Sequence, residues 1–278
     1  MRLIVAFIFT ATAVVGQDNI TVCHSSPTEK FAHFASSEDF RASHQLPRIY
    51  SHVSQQGGKM ITYKCPDGKD ANAYFIPAKE KTNNWILVFQ EWWGLNDNIK
   101  RHSEELFNSL GNVNILALDM YDGEVAADRE NAAKLMQQFK QERGDMIVKG
   151  ALNYAGGGAK IGTIGWCFGG GQSLLAALTA GRQSEACVIY YGMPVDDVET
   201  LKKLNADVLG IFAAREKRIS PEVVQKFEQN MKAAGKKLIV KSYDAEHGFA
   251  NPSNTIYDKE ATEDAYKHTV AFFRERLK

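Results

Sequence analysis

From Lys59 to the C-terminus, short apolar runs recur between longer stretches in which apolar positions fall three and four residues apart. The short runs are Met60–Tyr63, Ala73–Pro77, Trp85–Gln90, Asn114–Asp119, Ile161–Gly165, Cys187–Tyr191, Val208–Ala213 and Leu238–Tyr243. Their length and their Val, Ile and aromatic content predict strands. Several are apolar throughout, as expected of strands covered on both faces. Between them, Ile99, His102, Leu106 and Leu110 mark one helical face that stops at Gly111, and Ser220-Pro221 opens another with Val223, Val224, Phe227 and Met231, closed by Gly235. Tyr266, Val270, Phe273 and Leu277 stripe a C-terminal helix. Eight strands with intervening helices predict an α/β protein: a mostly parallel central sheet flanked by helices, binding its ligand beyond the carboxyl ends of the strands. The first two strands, joined by a short polar connection, are expected to pair antiparallel at one edge. No repeat or linker divides residues 59–278, which are expected to form one domain.

The chain upstream follows different patterns. Met1-Arg2 leads an apolar run, Leu3 to Val15, with small Val14 and Gly16 at the −3 and −1 positions of a cut before Gln17. A helix of that run rises about 20 Å, short of a hydrocarbon core of about 30 Å, so residues 1–16 predict a signal peptide, an exported protein and no membrane span in the mature chain. Residues 17–58 are rich in Ser, His, Asn and Gln, with scattered Phe31, Phe34 and Phe40 and no sustained period. They predict a partly ordered extension. Asn19-Ile20-Thr21 matches a glycosylation sequon. In an oxidising compartment Cys23 and Cys65 either pair or remain two free thiols.

Charge narrows the partners. The chain has 33 Lys+Arg and 33 Asp+Glu with no block of like sign, which argues against nucleic acid or an anionic membrane surface. The four cysteines, Cys23, Cys65, Cys167 and Cys187, are too few for a disulfide scaffold and lack the paired spacings of a zinc site, so no metal or cofactor is implied.

The chemistry concentrates at strand ends. Gly165-Trp166-Cys167-Phe168-Gly169 runs from a strand into a helix as Gly-x-Cys-x-Gly, the form of a nucleophile elbow. The alternative is a tight turn packing an inert thiol. As a nucleophile at a helix N-terminus, Cys167 is expected to have a lowered pKa. Of seven histidines, only His247 follows a strand end, whereas His24, His33, His44 and His52 fall in the N-terminal segment and His102 and His268 on helices. An orienting acid placed between nucleophile and histidine points to Glu216, with Asp244 and Glu246 as rivals. The backbone N–H groups of Trp92 and Phe168 are the candidate oxyanion donors, and Trp93 and Phe249 the candidate pocket residues.

Gln90-Glu91-Trp92-Trp93-Gly94-Leu95-Asn96, Gly165-Trp166-Cys167-Phe168-Gly169-Gly170 and His247-Gly248-Phe249-Ala250-Asn251-Pro252 together resemble the dienelactone hydrolase family. The resemblance implies an α/β-hydrolase fold without cofactor, a triad of Cys167, Glu216 and His247, and a role for Glu91 in generating the thiolate. The family's usual acid is Asp, so Glu216 is longer by one methylene. The family's substrate-gripping arginine after the histidine has no counterpart in Gly248-Phe249-Ala250-Asn251. The expected activity is hydrolysis of small-molecule esters or lactones by a monomer. A thioesterase or peptidase on the same triad, and an inactive binding protein of the same fold, are the rivals.

Overall fold

A computed structural model describes residues 26–48 and 50–278. The expected signal peptide, the Asn19 sequon and Cys23 lie outside the described residues. In chain order the elements are α1 (Pro27–Ala35), α2 (Glu38–Ser43), β1 (Lys59–Lys64), β2 (Asp70–Ile76), β3 (Asn84–Phe89), α3 (Asp97–Leu110), β4 (Asn114–Leu118), α4 (Arg129–Gln138) and α5 (Gln141–Ala155). There follow β5 (Lys160–Trp166), α6 (Phe168–Ala180), β6 (Ser184–Tyr190), α7 (Val198–Leu201), β7 (Asp207–Ala213), α8 (Pro221–Ala233), β8 (Leu238–Tyr243) and α9 (Lys259–Arg276).

The eight strands form one sheet in the order β1-β2-β4-β3-β5-β6-β7-β8. β1 pairs antiparallel with β2 at the edge, as the short polar connection predicts, and β2 is also antiparallel to β4. The other pairings are parallel. Strands β3, β4 and β5 are buried along nearly their whole length, because helices cover both faces of the sheet. β1 at the edge exposes Lys59 and Lys64, charges that discourage pairing with another chain.

Register brings the site loops together. Phe89 lies beside Gly165 and Trp166 beside Tyr190, so the loops after β3, β5 and β6 leave the sheet side by side. Ala213 lies beside Tyr243, which places the Glu216 turn next to the His247 loop.

Residues 27–43, read from the sequence as lacking a period, form two helices. α1 begins with a capping box in which the Ser26 hydroxyl accepts from the Glu29 N–H and the Glu29 carboxylate accepts from the Ser26 N–H, with Pro27 in the first turn. Helices of 9 and 6 residues are too short to display a periodic stripe, so tertiary packing stabilises them. Phe31 and Phe40 are buried in the same apolar core as the sheet, a stabilisation of about 1.5–3 kcal/mol for each side chain. The two helices pack against α4, and α1 also against α6.

Candidate active site

Cys167 occupies the turn between β5 and α6 at φ 60° and ψ −120°, a conformation uncommon for a residue with a Cβ. Its N–H donates to the Tyr190 carbonyl at 3.0 Å, and its carbonyl accepts from the Gly170 N–H at 3.0 Å. The turn demands small flanking residues. A Cβ on Gly165 would sit 2.0 Å from the Gly169 carbonyl oxygen, and one on Gly169 2.4 Å from that of Gln90. This turn holds the sulfur at the start of α6, where the Phe168 N–H favours the thiolate.

His247 Nδ1 lies 2.5 Å from Glu216 Oε2. A second anchor holds the carboxylate, since Glu216 Oε1 accepts from the Arg218 N–H at 2.9 Å. Asp244, considered as a rival acid, is exposed and faces Arg215 at 3.7 Å, so Glu216 is the acid beside the imidazole. Burial works against ionisation of Glu216, but the adjacent His247 and the Arg218 N–H outweigh it and hold the carboxyl at about 2. His247 shifts the opposite way: burial lowers its pKa, and Glu216 with the Cys167 sulfur raises it well above the ordinary range.

Cys167 departs from the lowered pKa expected at a helix N-terminus. Burial pushes the thiol up, outweighing His247 and the Phe168 N–H, and nearby Glu91 adds to the rise. Glu91 is itself raised by burial, and its carboxylate accepts from Asn251 Nδ2 at 2.7 Å. Asn251 thus has a defined contact in the stretch where the arginine is missing.

The profile described as "Dienelactone hydrolase family" matches residues 71–277. The chain belongs to the dienelactone hydrolase family. It is a hydrolase acting on lactone or ester bonds. Among curated relatives, "Protein usf" of Aquifex pyrophilus is 28% identical over 236 residues, covering 79% of this chain and 99% of its own. Among solved structures, a dienelactone hydrolase-like promiscuous phosphotriesterase from metagenomic libraries superposes with a TM-score of 0.69 at 21% identity, covering 80% of this chain and 99% of that one. A dienelactone hydrolase from Anabaena variabilis gives 0.60 at 15% identity, covering 81% and 100%. Both superpositions support the α/β-hydrolase fold.

In this hydrolase the N-terminal helices reach the site, which the sequence reading did not foresee. His44, set aside with the histidines of the extension, lies just after α2 with Nε2 at 3.8 Å from the Cys167 sulfur, a contact across 123 residues of sequence. Its Nδ1 is 2.7 Å from the Phe40 carbonyl, and the Arg129 guanidinium donates to the His44 carbonyl at 2.5 Å. Burial and the neighbouring His247 lower the His44 pKa to about 3, keeping the imidazole neutral. Its ring packs on Phe40, Trp92 and His247 with centroids 4.0, 4.7 and 5.0 Å away. Phe31 reaches Phe168 at 6.3 Å, and the Arg218 guanidinium lies 5.0 Å above the Phe40 ring. Cys167 is consequently only 2% exposed.

Trp92 and Trp93 are buried in the loop after β3, their rings edge to face at 5.0 Å. Phe249 is fully buried between Tyr191 and Tyr243 rather than facing an open cavity. The Tyr191 ring packs 5.0 Å from His247, and its backbone has a positive φ of 36°. A cleft of about 710 Å³ opens beside Glu216 and His247, and Asp39, Arg215, Lys217, Arg218, Glu246 and Ile256 line it. Neither Trp93 nor Phe249 lines this cleft. Its basic residues come from the turn after β7. Among the signals for these unforeseen contributors, only the capping residues Ser26 and Glu29 were visible in the sequence, and they announce a helix without saying where it packs.

Proposed function

We propose that this hydrolase cleaves small-molecule esters or lactones through an acyl-thioester on Cys167. The observation that carries this reading is the strained elbow of Cys167 beside an imidazole whose far nitrogen is held by Glu216 at 2.5 Å. Glu216 fixes the tautomer with the proton on Nδ1 and stabilises the imidazolium. Nδ1 being engaged, Nε2 of the neutral imidazole takes the thiol proton, Glu216 and the sulfur favour the imidazolium that results, and Nε2 later returns the proton to the leaving alcohol. The N–H groups of Trp92 and Phe168 are the donors for the oxyanion. Glu91, set by Asn251, is positioned to influence the ionisation of the sulfur. Because burial favours the neutral thiol, proton transfer accompanies substrate binding rather than preceding it. The reading is tested by turnover of p-nitrophenyl esters and small lactones: activity is expected in the wild type and abolished in Cys167→Ala, and equal rates in the two proteins would exclude the mechanism.

A further inference from the structure

The catalytic reading uses one imidazole, yet two meet the Cys167 sulfur. Ligand atoms of His44, Cys167 and His247 all lie within 4.8 Å of one another. A tetrahedral zinc ion, with bonds of about 2.3 Å to sulfur and about 2.0 Å to nitrogen, sets its donors roughly 3.5 Å apart. The 3.8 Å between Cys167 Sγ and His44 Nε2 needs little adjustment to match. Both imidazoles are also prepared in the way metal ligands are. The Phe40 carbonyl holds Nδ1 of His44 and the Glu216 carboxylate lies 2.5 Å from Nδ1 of His247, the outer anchoring by oxygen that orients metal-ligating imidazoles. The donor set of one thiolate and two imidazoles suits zinc above calcium or magnesium, which prefer oxygen.

We propose that His44, Cys167 and His247 form a zinc site, assembled when the N-terminal helices lie over the elbow, and that zinc bound there switches the hydrolase off. On binding, zinc displaces the Cys167 thiol proton and the proton that Glu216 favours on the His247 imidazolium, both of which leave to solvent, so that both imidazoles bind as neutral donors and no electron is exchanged. The inhibition rests on the catalytic reading above, because the ion occupies both the nucleophile and the base; the binding itself does not.

The test uses the full chain and cobalt(II) as a spectroscopic probe. A single equivalent of cobalt should bring up a near-ultraviolet thiolate-to-cobalt charge-transfer band and the strong visible bands of a tetrahedral ion, and zinc should displace both. Zinc affinity, measured by competition with a chromogenic chelator, should fall at least about tenfold in His44→Asn and in Cys167→Ser, each checked for folding by circular dichroism. Absence of the charge-transfer band in the wild type, or unchanged zinc affinity in either folded variant, would overturn the site. Stoichiometric zinc should stop p-nitrophenyl acetate turnover, and chelation should restore it. Zinc bound through these residues with turnover undiminished would overturn the inhibition and leave the metal site standing. Hydrolysis by Cys167→Ala refutes the catalytic reading without touching the binding result.

Discussion

At the scale of single residues, the site joins groups whose ionisation is set by opposing effects. Glu216 and His247 are shifted in opposite senses because each favours the charged form of the other. Replacing Glu216 with Gln keeps the shape and removes the charge that orients the imidazole. The expected result is a fall in kcat of about 10²–10⁴-fold with folding retained. Glu216→Asp, which restores the family's usual acid, should fall less, and steady-state kinetics on one aryl ester compares the two. Cys167 is held as a thiol by burial. Its alkylation by iodoacetamide, followed by peptide mass spectrometry, should be slow at neutral pH and rise about tenfold per pH unit into the alkaline range. A plateau reached by pH 7 would show that thiolate already dominates the resting site.

At the scale of elements, the elbow and the covering helices follow different rules. The elbow is local: β5 must turn into α6 within one residue, and carbonyls crowd both flanking positions so closely that only glycine fits. The cover is tertiary: α1 and α2 persist because Phe31 and Phe40 enter the core. Phe40 also packs on His44 and Trp92 and carries Arg218 over its ring. Truncating it to Ala should cost roughly 3 kcal/mol by loss of contacts and a residual cavity, read from urea unfolding. It should also loosen the His44 contact and speed alkylation of Cys167 at fixed pH. If stability falls while alkylation stays unchanged, these helices do not control access to the sulfur.

At the scale of the whole molecule, stability carries the imprint of the site. Glu216 titrates at about 2 in the folded chain, below the ordinary carboxyl range. A group depressed on folding stabilises the protein above its unfolded pKa and loses that contribution as pH falls through the folded value. Wild type should therefore lose stability between about pH 4.5 and 2 more steeply than Glu216→Gln, in urea midpoints measured across that window. Equal slopes would assign acid sensitivity to other carboxylates.

All eight strands were legible as apolar runs bounded by turn residues, and the structure moves their ends by at most three residues, as with Ser184–Tyr190 against the expected Cys187–Tyr191. The placement of Cys167, Glu216 and His247 at strand ends was legible too, because parallel strands deliver their following loops to one edge of the sheet. The insertion of β4 between β2 and β3 was not, since strand order depends on which faces pack and leaves no mark on any single strand.

Short-range sterics and patterning govern the alternation of strand and helix, the tight Gly-x-Cys-x-Gly turn, and the order of nucleophile, acid and histidine, so these can be read along the chain. The contact of His44 with Cys167 and the rise of the thiol pKa arise only once the chain is folded. Both depend on long-range burial. A polar, aperiodic segment gives no local sign of the surface that will order it, and the field at a helix N-terminus favours thiolate only until the site is covered and desolvation outweighs it.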